Sequence, residues 1–247
     1  MGDHDRTVRF RKARRDPQLT VVEGFHALKH ALRFGAELVE AVAVDPPQLE
    51  QLAQELAPDL AGSLANRVEP IAAADLAELA PLTPRTGVVA IARRPPVDLA
   101  AVLADPRPAP VVLLEQPKNM GNIGACIRVA AAADAAAVLT TGENDPWYPD
   151  AVRGAAGLHF ALPVTAVESL PASDRPLLAI DPEGEDLHPD RLPARAVLAF
   201  GTERHGISGE LLERADARIS IPMRDGVSSL NLATSVAVTL FAMRLAS

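Results

Sequence analysis

The 247-residue sequence has a single cysteine, few aromatic residues and no long uninterrupted apolar run. The single cysteine, Cys126, excludes an internal disulfide and a cysteine-based zinc site, and it is typical of a reducing compartment. Aromatic residues make up 3% of the chain, so a surface that stacks on bases has few rings to use. No apolar run reaches the roughly 18 residues of a membrane-spanning helix, and the charged N-terminus does not resemble a signal peptide. We therefore expect a cytoplasmic protein.

The formal net charge is −8, but basic residues are concentrated near the N-terminus. Residues 1–35 contain eight Lys and Arg against four Asp and Glu, a balance of +4 that leaves −12 for the remainder. Six basic residues fall within ten positions: Arg6, Arg9, Arg11, Lys12, Arg14 and Arg15. This cluster predicts a flexible basic arm over residues 1–16, which is either a solvated segment without a partner or a segment that binds phosphates.

Hydrophobic periodicity divides the chain into two α/β regions separated by a proline-rich stretch. In the first region, the spacing of Val22, Phe25, Leu28 and Leu32 predicts a helix that ends at Gly35. The second region alternates apolar runs with helical segments, which is typical of a parallel sheet buried on both faces. We predict an α/β fold with a substrate-binding domain over 17–95, a linker over 96–109 and a second domain over 110–247.

The first of three motifs in the second region is a glycine loop between a strand and a helix. It runs from the apolar segment Val111–Glu115 through Asn122 and Gly124 to Arg128 on the following helix. A helix N-terminus after such a loop is typical of an anion site. Only two of the three glycines of a dinucleotide-binding fingerprint are present, which opposes a nucleotide-dependent oxidoreductase.

The second and third motifs also follow apolar runs. In the second, Gly201 and Gly206 would let a ligand approach the backbone, and Glu203 between them is either functional or simply exposed. In the third, Pro222 closes a strand and a helix begins shortly afterwards, so we expect Ser228 or Ser229 to cap that helix. A serine hydrolase is poorly supported, because no base and no Gly-x-Ser-x-Gly pattern accompany these serines.

In their order along the chain, the three motifs closely resemble those of the SpoU/TrmH family of SPOUT-class RNA methyltransferases. The matching patterns are Asn122-x-Gly124-x-x-x-Arg128, Phe200-Gly201-x-Glu203-x-x-Gly206, and Ile221-Pro222-Met223 followed by Ser229-Leu230-Asn231. Segments between the motifs are also similar, so the resemblance covers residues 110–246. More loosely, the first region is similar to the family's ribosomal-protein-like substrate-binding domain, through Val22-Glu23-Gly24 and Gly87-Val88-Val89-Ala90.

The resemblance implies a mostly parallel sheet with a deep trefoil knot, a homodimer, and S-adenosylmethionine as cofactor without a metal. It implies methylation of a ribose 2′-hydroxyl, and the separate N-terminal domain favours ribosomal RNA over transfer RNA. It assigns the catalytic site to Arg128, Ser229 and Asn231, supported by Asn122 and Glu203. It places the cofactor against Gly201, Thr202, Ile221, Met223, Ser229 and Leu230. Because a guanidinium stays protonated, we expect Arg128 to clamp a phosphate and orient the hydroxyl rather than to remove its proton.

Several further patterns are given weaker interpretations. The alternative function is a catalytically weak or inactive RNA-binding or ribosome assembly factor of the same fold, which the intact set of motif residues opposes. His26 and His30 lie four residues apart on a helix, but no third ligand accompanies them, so we expect no metal site. Arg153 suits either a dimer surface or an RNA surface. Four acidic residues predict an exposed loop without calcium-binding spacing: Asp181, Glu183, Glu185 and Asp186.

Overall fold

The computed structural model describes residues 3–64, 67–202 and 205–246, which form two compact units. Unit 1 comprises Met1–Pro96 and Trp147–Ala161, and unit 2 comprises Val97–Pro146 and Leu162–Ser247. The first boundary falls at the start of the predicted linker. The segment 147–161 differs from the prediction, since it was expected in the second domain and belongs instead to unit 1. No described helix has both the length and the apolar character needed to cross a membrane.

The elements of the first 96 residues are, in chain order, α1 (Asp3–Ala13), β1 (Leu19–Glu23), α2 (Phe25–Arg33), β2 (Leu38–Ala43), α3 (Pro46–Leu56), α4 (Ala61–Leu64), β3 (Glu69–Pro70), α5 (Ala73–Leu79) and β4 (Val88–Arg93). Those of the remaining chain are α6 (Leu99–Ala104), β5 (Val111–Leu114), α7 (Met120–Ala132), β6 (Ala137–Thr140), α8 (Pro149–Gly154), β7 (Val164–Ala166), β8 (Leu177–Asp186), β9 (Val197–Phe200), α9 (Gly209–Arg214), β10 (Ala217–Ser220) and α10 (Leu232–Ala246). Single 3-10 turns lie at Leu158–Phe160 and Pro189–Arg191.

Unit 1 is built on a four-stranded sheet in the order β1-β4-β2-β3. Strand β4 is antiparallel to both β1 and β2, whereas β2 and β3 are parallel. One apolar cluster joins α1 and α5 to the sheet, and its fully buried members include Phe10, Val21, Val42, Leu76 and Val89. A small sheet covered by helices in this way provides an apolar core of its own.

The basic N-terminal segment is a packed helix, so the expected flexible arm is wrong for residues 3–13. Phe10 is 1% exposed and Ala13 is fully buried, which anchors α1 to the core. Arg6 and Arg9 both donate to Glu40, at 2.6 and 2.8 Å. Burial raises the pKa of the Glu40 carboxyl, but the hydrogen bonds from the two arginines outweigh it and hold that pKa below its ordinary value. The charged composition concealed two apolar positions three residues apart, which lie on the same side of a helix.

The segment 147–161 leaves unit 2 after β6 and packs within unit 1 through specific contacts. Thr20 Oγ1 donates to the Trp147 carbonyl at 2.9 Å. Arg153 on α8 forms an ion pair at 2.7 Å with Glu23, whose side chain is 2% exposed. Gly157 has φ of +76°, and a Cβ there would overlap the Ala27 backbone of α2, so only glycine permits this approach. Arg153 thus joins two parts of unit 1, a role that its sequence context did not indicate.

Unit 2 is built on a six-stranded, wholly parallel sheet in the order β10-β8-β9-β5-β6-β7. Every residue of β5, β6 and β9 is buried, as expected for central strands with both faces covered. The predicted α/β class and mostly parallel sheet are confirmed. In such sheets, ligands bind beyond the carboxyl ends of the strands, which is where all three motifs begin.

The predicted linker contains α6, and two arginines, one buried and one partly exposed, hold it within unit 2. The Arg175 side chain, in a residue 4% exposed, donates to the carbonyls of Leu103 and Ala109, both at 2.9 Å. Arg195 donates to the same Leu103 carbonyl and to that of Asp105. Because these donors satisfy carbonyls at and beyond the end of α6, residues 99–109 are an ordered part of unit 2 rather than a loose connection.

Candidate active site

A cavity of about 320 Å³ opens at the carboxyl ends of β9 and β10 and beside the middle of β8. The second and third motifs supply most of its wall. All six predicted cofactor-binding residues line it: Gly201, Thr202, Ile221, Met223, Ser229 and Leu230. The remaining lining residues are Ile180, Asp181, Pro182, Phe200, Gly206, Ser228, Leu232 and Ser235. The structure therefore brings together in one cavity residues that are up to 55 positions apart, from Ile180 to Ser235.

The second motif forms a closed loop whose two ends pair with each other. Thr202 and Gly206 exchange two backbone hydrogen bonds, each of 3.0 Å. A Cβ at Gly201 would overlap the Gly206 carbonyl, so this glycine lets the chain approach itself. Gly206 has φ of +63°, a left-handed backbone conformation that residues with a Cβ rarely adopt. Glu203, predicted to support catalysis, lies outside the residues that the structure describes.

Asn231 of the third motif contacts Asn122 of the first. Its Nδ2 donates to Asn122 Oδ1 at 3.2 Å, while its own Oδ1 accepts from the Ala233 backbone N–H at 2.9 Å. Asn231 therefore caps α10, and the expectation that Ser228 or Ser229 does so is wrong, because the helix begins only at Leu232. Ser229 is exposed and lines the cavity instead.

Arg128 lies on α7 and is not among the residues that line the cavity. Its side chain is exposed and forms no hydrogen bond or ion pair with any residue that the structure describes. Six helical positions separate it from Asn122, which turns the two side chains about 120° apart around the helix axis. The predicted catalytic set is thus assembled only in part: Asn122 contacts Asn231, Ser229 lines the cavity two residues before Asn231, and Arg128 projects to solvent.

Asp181 lines the cavity, and sequence reasoning did not place it there. It directly follows the apolar run Leu177–Ile180, and its Oδ1 accepts from the Glu183 backbone N–H at 2.9 Å. Among the described lining residues it is the one ionisable side chain. The predicted acidic loop is wrong, since β8 continues to Asp186 and pairs there with β10. Asp181 lies in the middle of β8, so the rule that ligands lie beyond the carboxyl ends of parallel strands would not have singled out this position.

Comparison with protein families decides the identity. Residues 109–241, more than half of the chain, match the model of the SpoU rRNA Methylase family. The chain belongs to the SpoU rRNA methylase family. The matched residues begin just before β5 and end within α10, so they contain all three motifs of this SpoU methylase.

Two relatives and one solved structure extend the similarity of this SpoU methylase to nearly its whole length. The 23S rRNA (guanosine-2′-O-)-methyltransferase RlmB of Bordetella pertussis is 31% identical over 235 residues, which cover 90% of this chain and 95% of that protein. The 23S rRNA (adenosine(1067)-2′-O)-methyltransferase of Streptomyces laurentii is 29% identical over 240 residues, covering 89% and 83%. The AdoMet-bound rRNA methyltransferase from Sinorhizobium meliloti has a TM-score of 0.75 at 25% identity, covering 98% and 94%. Unit 1 thus lies within the similarity.

Proposed function

We propose that this SpoU methylase transfers a methyl group to a ribose 2′-hydroxyl of ribosomal RNA. As a family member it is an RNA 2′-O-methyltransferase with S-adenosylmethionine as methyl donor. The proposal adds ribosomal RNA as the substrate and the roles of individual residues. Support for ribosomal RNA comes from the names of both relatives and from the presence of unit 1 in the same chain as the motifs. The observation that carries the residue roles is the meeting of the second and third motifs at one cavity, together with the contact between Asn231 of the third motif and Asn122 of the first.

The donor is assigned to the cavity because the lining side chains suit its chemistry. Phe200, Ile221 and Leu230 offer an apolar surface for a purine ring, and the hydroxyls of Thr202 and Ser229 are available as hydrogen-bonding groups. The carboxylate of Asp181 suits a cationic ligand. A volume of about 320 Å³ is within the range of small-molecule sites. When bound, S-adenosylmethionine supplies an electrophilic methyl group.

The acceptor hydroxyl is assigned to the neighbourhood of Ser229 and Asn231. The Asn231 amide is held at both ends, by Asn122 at its nitrogen and by the Ala233 N–H at its oxygen. A side chain fixed in this way can orient a hydroxyl without losing rotamer freedom during the reaction. We assign the second Nδ2 hydrogen of Asn231 to that contact, with Asn122 as the residue that sets its direction. Glu203, although not described structurally, keeps its proposed supporting role.

Arg128 is assigned to a phosphate of the bound RNA. Its exposed guanidinium lacks a carboxylate partner among the described residues, and its planar fork suits a phosphate held by two hydrogen bonds. A guanidinium rarely loses its proton, so this assignment is chemically simpler than proton removal from the acceptor. The contribution of Arg128 would then lie in orienting the nucleotide.

Unit 1 is assigned to RNA binding, with α1 and the turn that follows it as part of the contact surface. Three basic residues of the N-terminal cluster form ion pairs with carboxylates: Arg6, Arg9 and Arg14. The other three are exposed and form no ion pair with the described residues: Arg11, Lys12 and Arg15. The first set fixes the helix, and the second set remains available for phosphates.

A homodimer, a trefoil knot in unit 2 and a cytoplasmic location complete the proposal. The homodimer is supported by α10, which exposes Val238, Phe241 and Leu245, the last by 86%. Their spacing of three and four residues places them along one side of the helix, and such an apolar stripe is typical of an interface. The knot rests on the resemblance of the motifs to the family.

The decisive experiment is to map 2′-O-methylation across total RNA from a strain that lacks the gene. We expect one ribosomal position to lose its methyl group and to regain it when purified protein and S-adenosylmethionine are added. A mark that vanishes from transfer RNA alone would overturn the choice of substrate. An unchanged set of marks would favour the alternative of an inactive assembly factor, which the assembled motifs make the weaker hypothesis.

A further inference from the structure

We propose that Glu115 is a positioning residue for the methyl donor, because its carboxylate fastens one end of the loop that lines the donor cavity. The inference rests on the proposed function, which places the donor against Gly201, Thr202 and Gly206. Glu115 directly follows β5, and its side chain is half-buried. It does not line the cavity itself, so any effect on the donor is exerted through the loop.

Both carboxylate oxygens of Glu115 accept short hydrogen bonds from a single residue, Ser208. Oε2 accepts from the Ser208 backbone N–H at 2.7 Å, and Oε1 accepts from the Ser208 hydroxyl at 2.6 Å. Hydrogen bonds to an ionised carboxylate are shorter and stronger than those between neutral groups. The contact joins residues 93 positions apart, the end of the first motif's strand and the end of the second motif's loop.

The loop between Phe200 and Ser208 is therefore fastened at two places. At its base, Thr202 and Gly206 are paired, and the Glu115 backbone N–H donates to the Phe200 carbonyl at 2.8 Å. At its far end, Ser208 is held by the carboxylate. Gly206, whose backbone lines the cavity, lies only two residues before Ser208. If Ser208 is released, the base remains paired but the cavity-lining backbone is no longer held from both sides.

A purely structural interpretation of the contact makes a different prediction. Ser208 Oγ also accepts from the Leu211 N–H at 3.3 Å and so caps α9. Loss of Glu115 would then lower thermal stability without changing donor affinity in the folded protein. A positioning role requires donor affinity to fall at temperatures where the variant is fully folded, and it requires a conservative replacement to restore part of the affinity.

The test is calorimetric titration of the wild-type protein and three variants with S-adenosylmethionine, well below their melting temperatures. We expect Glu115→Ala to raise Kd about tenfold and Glu115→Gln, which keeps one acceptor oxygen, about threefold. The matched control is Asp98→Ala, which removes the carboxylate that accepts from the Ala101 N–H and caps α6. This control removes a similar local hydrogen bond in the same unit, away from the cavity, and its Kd should stay within about twofold of wild type.

A measurement without S-adenosylmethionine tests whether Glu115 holds the loop end at Ser208, independently of donor binding. Hydrogen exchange at the amides of residues 205–209 should be faster in Glu115→Ala than in wild type, with exchange elsewhere unchanged. If Glu115→Ala fails to fold, Ser208→Ala takes its place: it removes the 2.6 Å hydroxyl bond to Glu115 together with the α9 cap, and Asp98→Ala controls for the loss of a helix cap. Suppose that the wild-type protein binds the donor. The role of Glu115 is then overturned if Glu115→Ala has the wild-type Kd, or if Asp98→Ala raises Kd as much as Glu115→Ala does. If the wild-type protein does not bind the donor, the assignment of the cavity itself is overturned.

Discussion

Asn231 donates to Asn122 across 109 positions of sequence, at 3.2 Å, while its own oxygen caps α10. One side chain thus combines a structural contact, the cap, with a contact between two motifs. Since the two contacts use different atoms of the amide, substitutions can separate them.

Asn231→Asp keeps the capping oxygen and removes the amide donor, whereas Asn231→Ala removes both. We expect Asn231→Ala to lose about 1 kcal/mol of stability, as is typical when a helix cap is removed. Asn231→Asp should melt near the wild-type temperature and yet reduce single-turnover methyl transfer by at least tenfold, or about 1.4 kcal/mol in the barrier. Methyl transfer by Asn231→Asp within about twofold of wild type would restrict Asn231 to a capping role.

Arg128→Lys keeps the positive charge but loses the two-pronged guanidinium. If Arg128 orients the acceptor through a phosphate, methyl transfer should fall on the order of 100-fold while donor affinity barely changes. Stability should also barely change, because Arg and Lys have similar helix propensities. Arg191→Lys, at another exposed position of unit 2, is the control and should keep full activity. Equal rates for the two variants would remove Arg128 from the site.

Asp181→Asn replaces the one ionisable side chain among the described residues of the cavity wall. If the carboxylate favours the positive charge of the donor, Kd for S-adenosylmethionine should rise about fivefold, consistent with roughly 1 kcal/mol for a partly solvated charge pair. Kd for the uncharged sulfide product, S-adenosylhomocysteine, should rise less. Asp186→Asn, farther along β8 and outside the cavity, is the matched control for both titrations. An equal loss of affinity for donor and product would show that Asp181 does not interact with the positive charge of S-adenosylmethionine.

A triple Ala variant at Arg11, Lys12 and Arg15 tests the exposed basic residues at the end of α1 and in the turn that follows it. Each phosphate that the variant no longer binds should reduce the slope of log K against log salt by about 0.7–0.9, so a reduction of about two is expected. The melting temperature should change little, because these residues form no ion pair with the described part of the chain. Arg9→Ala is the contrasting variant, since it breaks the pair with Glu40. It should lower the melting temperature clearly and change the salt slope only a little. An unchanged slope in the triple variant would place the RNA surface elsewhere.

The ion pairs of Glu40 predict a specific response to acid. Burial raises the pKa of Glu40, but the hydrogen bonds from Arg9 and Arg6 outweigh it, and the folded-state pKa lies below the ordinary value of 4.5. The stabilisation is therefore complete above about pH 4.5 and is lost as the pH falls through the lowered value. The difference in unfolding free energy between wild type and Glu40→Gln should shrink over this range. Glu37→Gln, which breaks the exposed pair with Arg93, should have a small effect at every pH.

The sequence allowed the second region to be predicted well because its signals are local. Apolar runs place β5 and β9 to within one residue, although β10 ends at Ser220, two residues before the proline expected to close it. The loops after β9 and β10 contain all six predicted cofactor-binding residues. The prediction of Asp181 as an exposed loop residue failed because periodicity does not show where two strands pair. The position of the α10 cap was also missed, since several polar residues before a helix can cap it equally well by type.

The first region was harder because long-range contacts decide its structure. Val22 fits a helical spacing with Phe25 and Leu28, yet it lies in β1 because β4 supplies an antiparallel partner. Phe10 lies in a charged stretch and is buried only because the sheet provides an apolar surface. Pairing between distant segments overrides local propensity in both cases. The docking of residues 147–161 likewise depends on Gly157 and Arg153, whose partners are more than 120 positions away.

That docking determines how the protein can be divided. The chain enters unit 1 twice, so a fragment that stops at Pro96 lacks α8 and the Leu158–Phe160 turn. In such a fragment, Glu23 would keep Arg14 but lose Arg153, and α2 would expose the surface that Gly157 approaches. Chimeras that exchange unit 1 between relatives must therefore exchange two stretches of sequence together. A transplant of residues 1–96 alone would pair a foreign sheet with the host's own α8, and its failure would report a mismatched graft rather than altered RNA recognition.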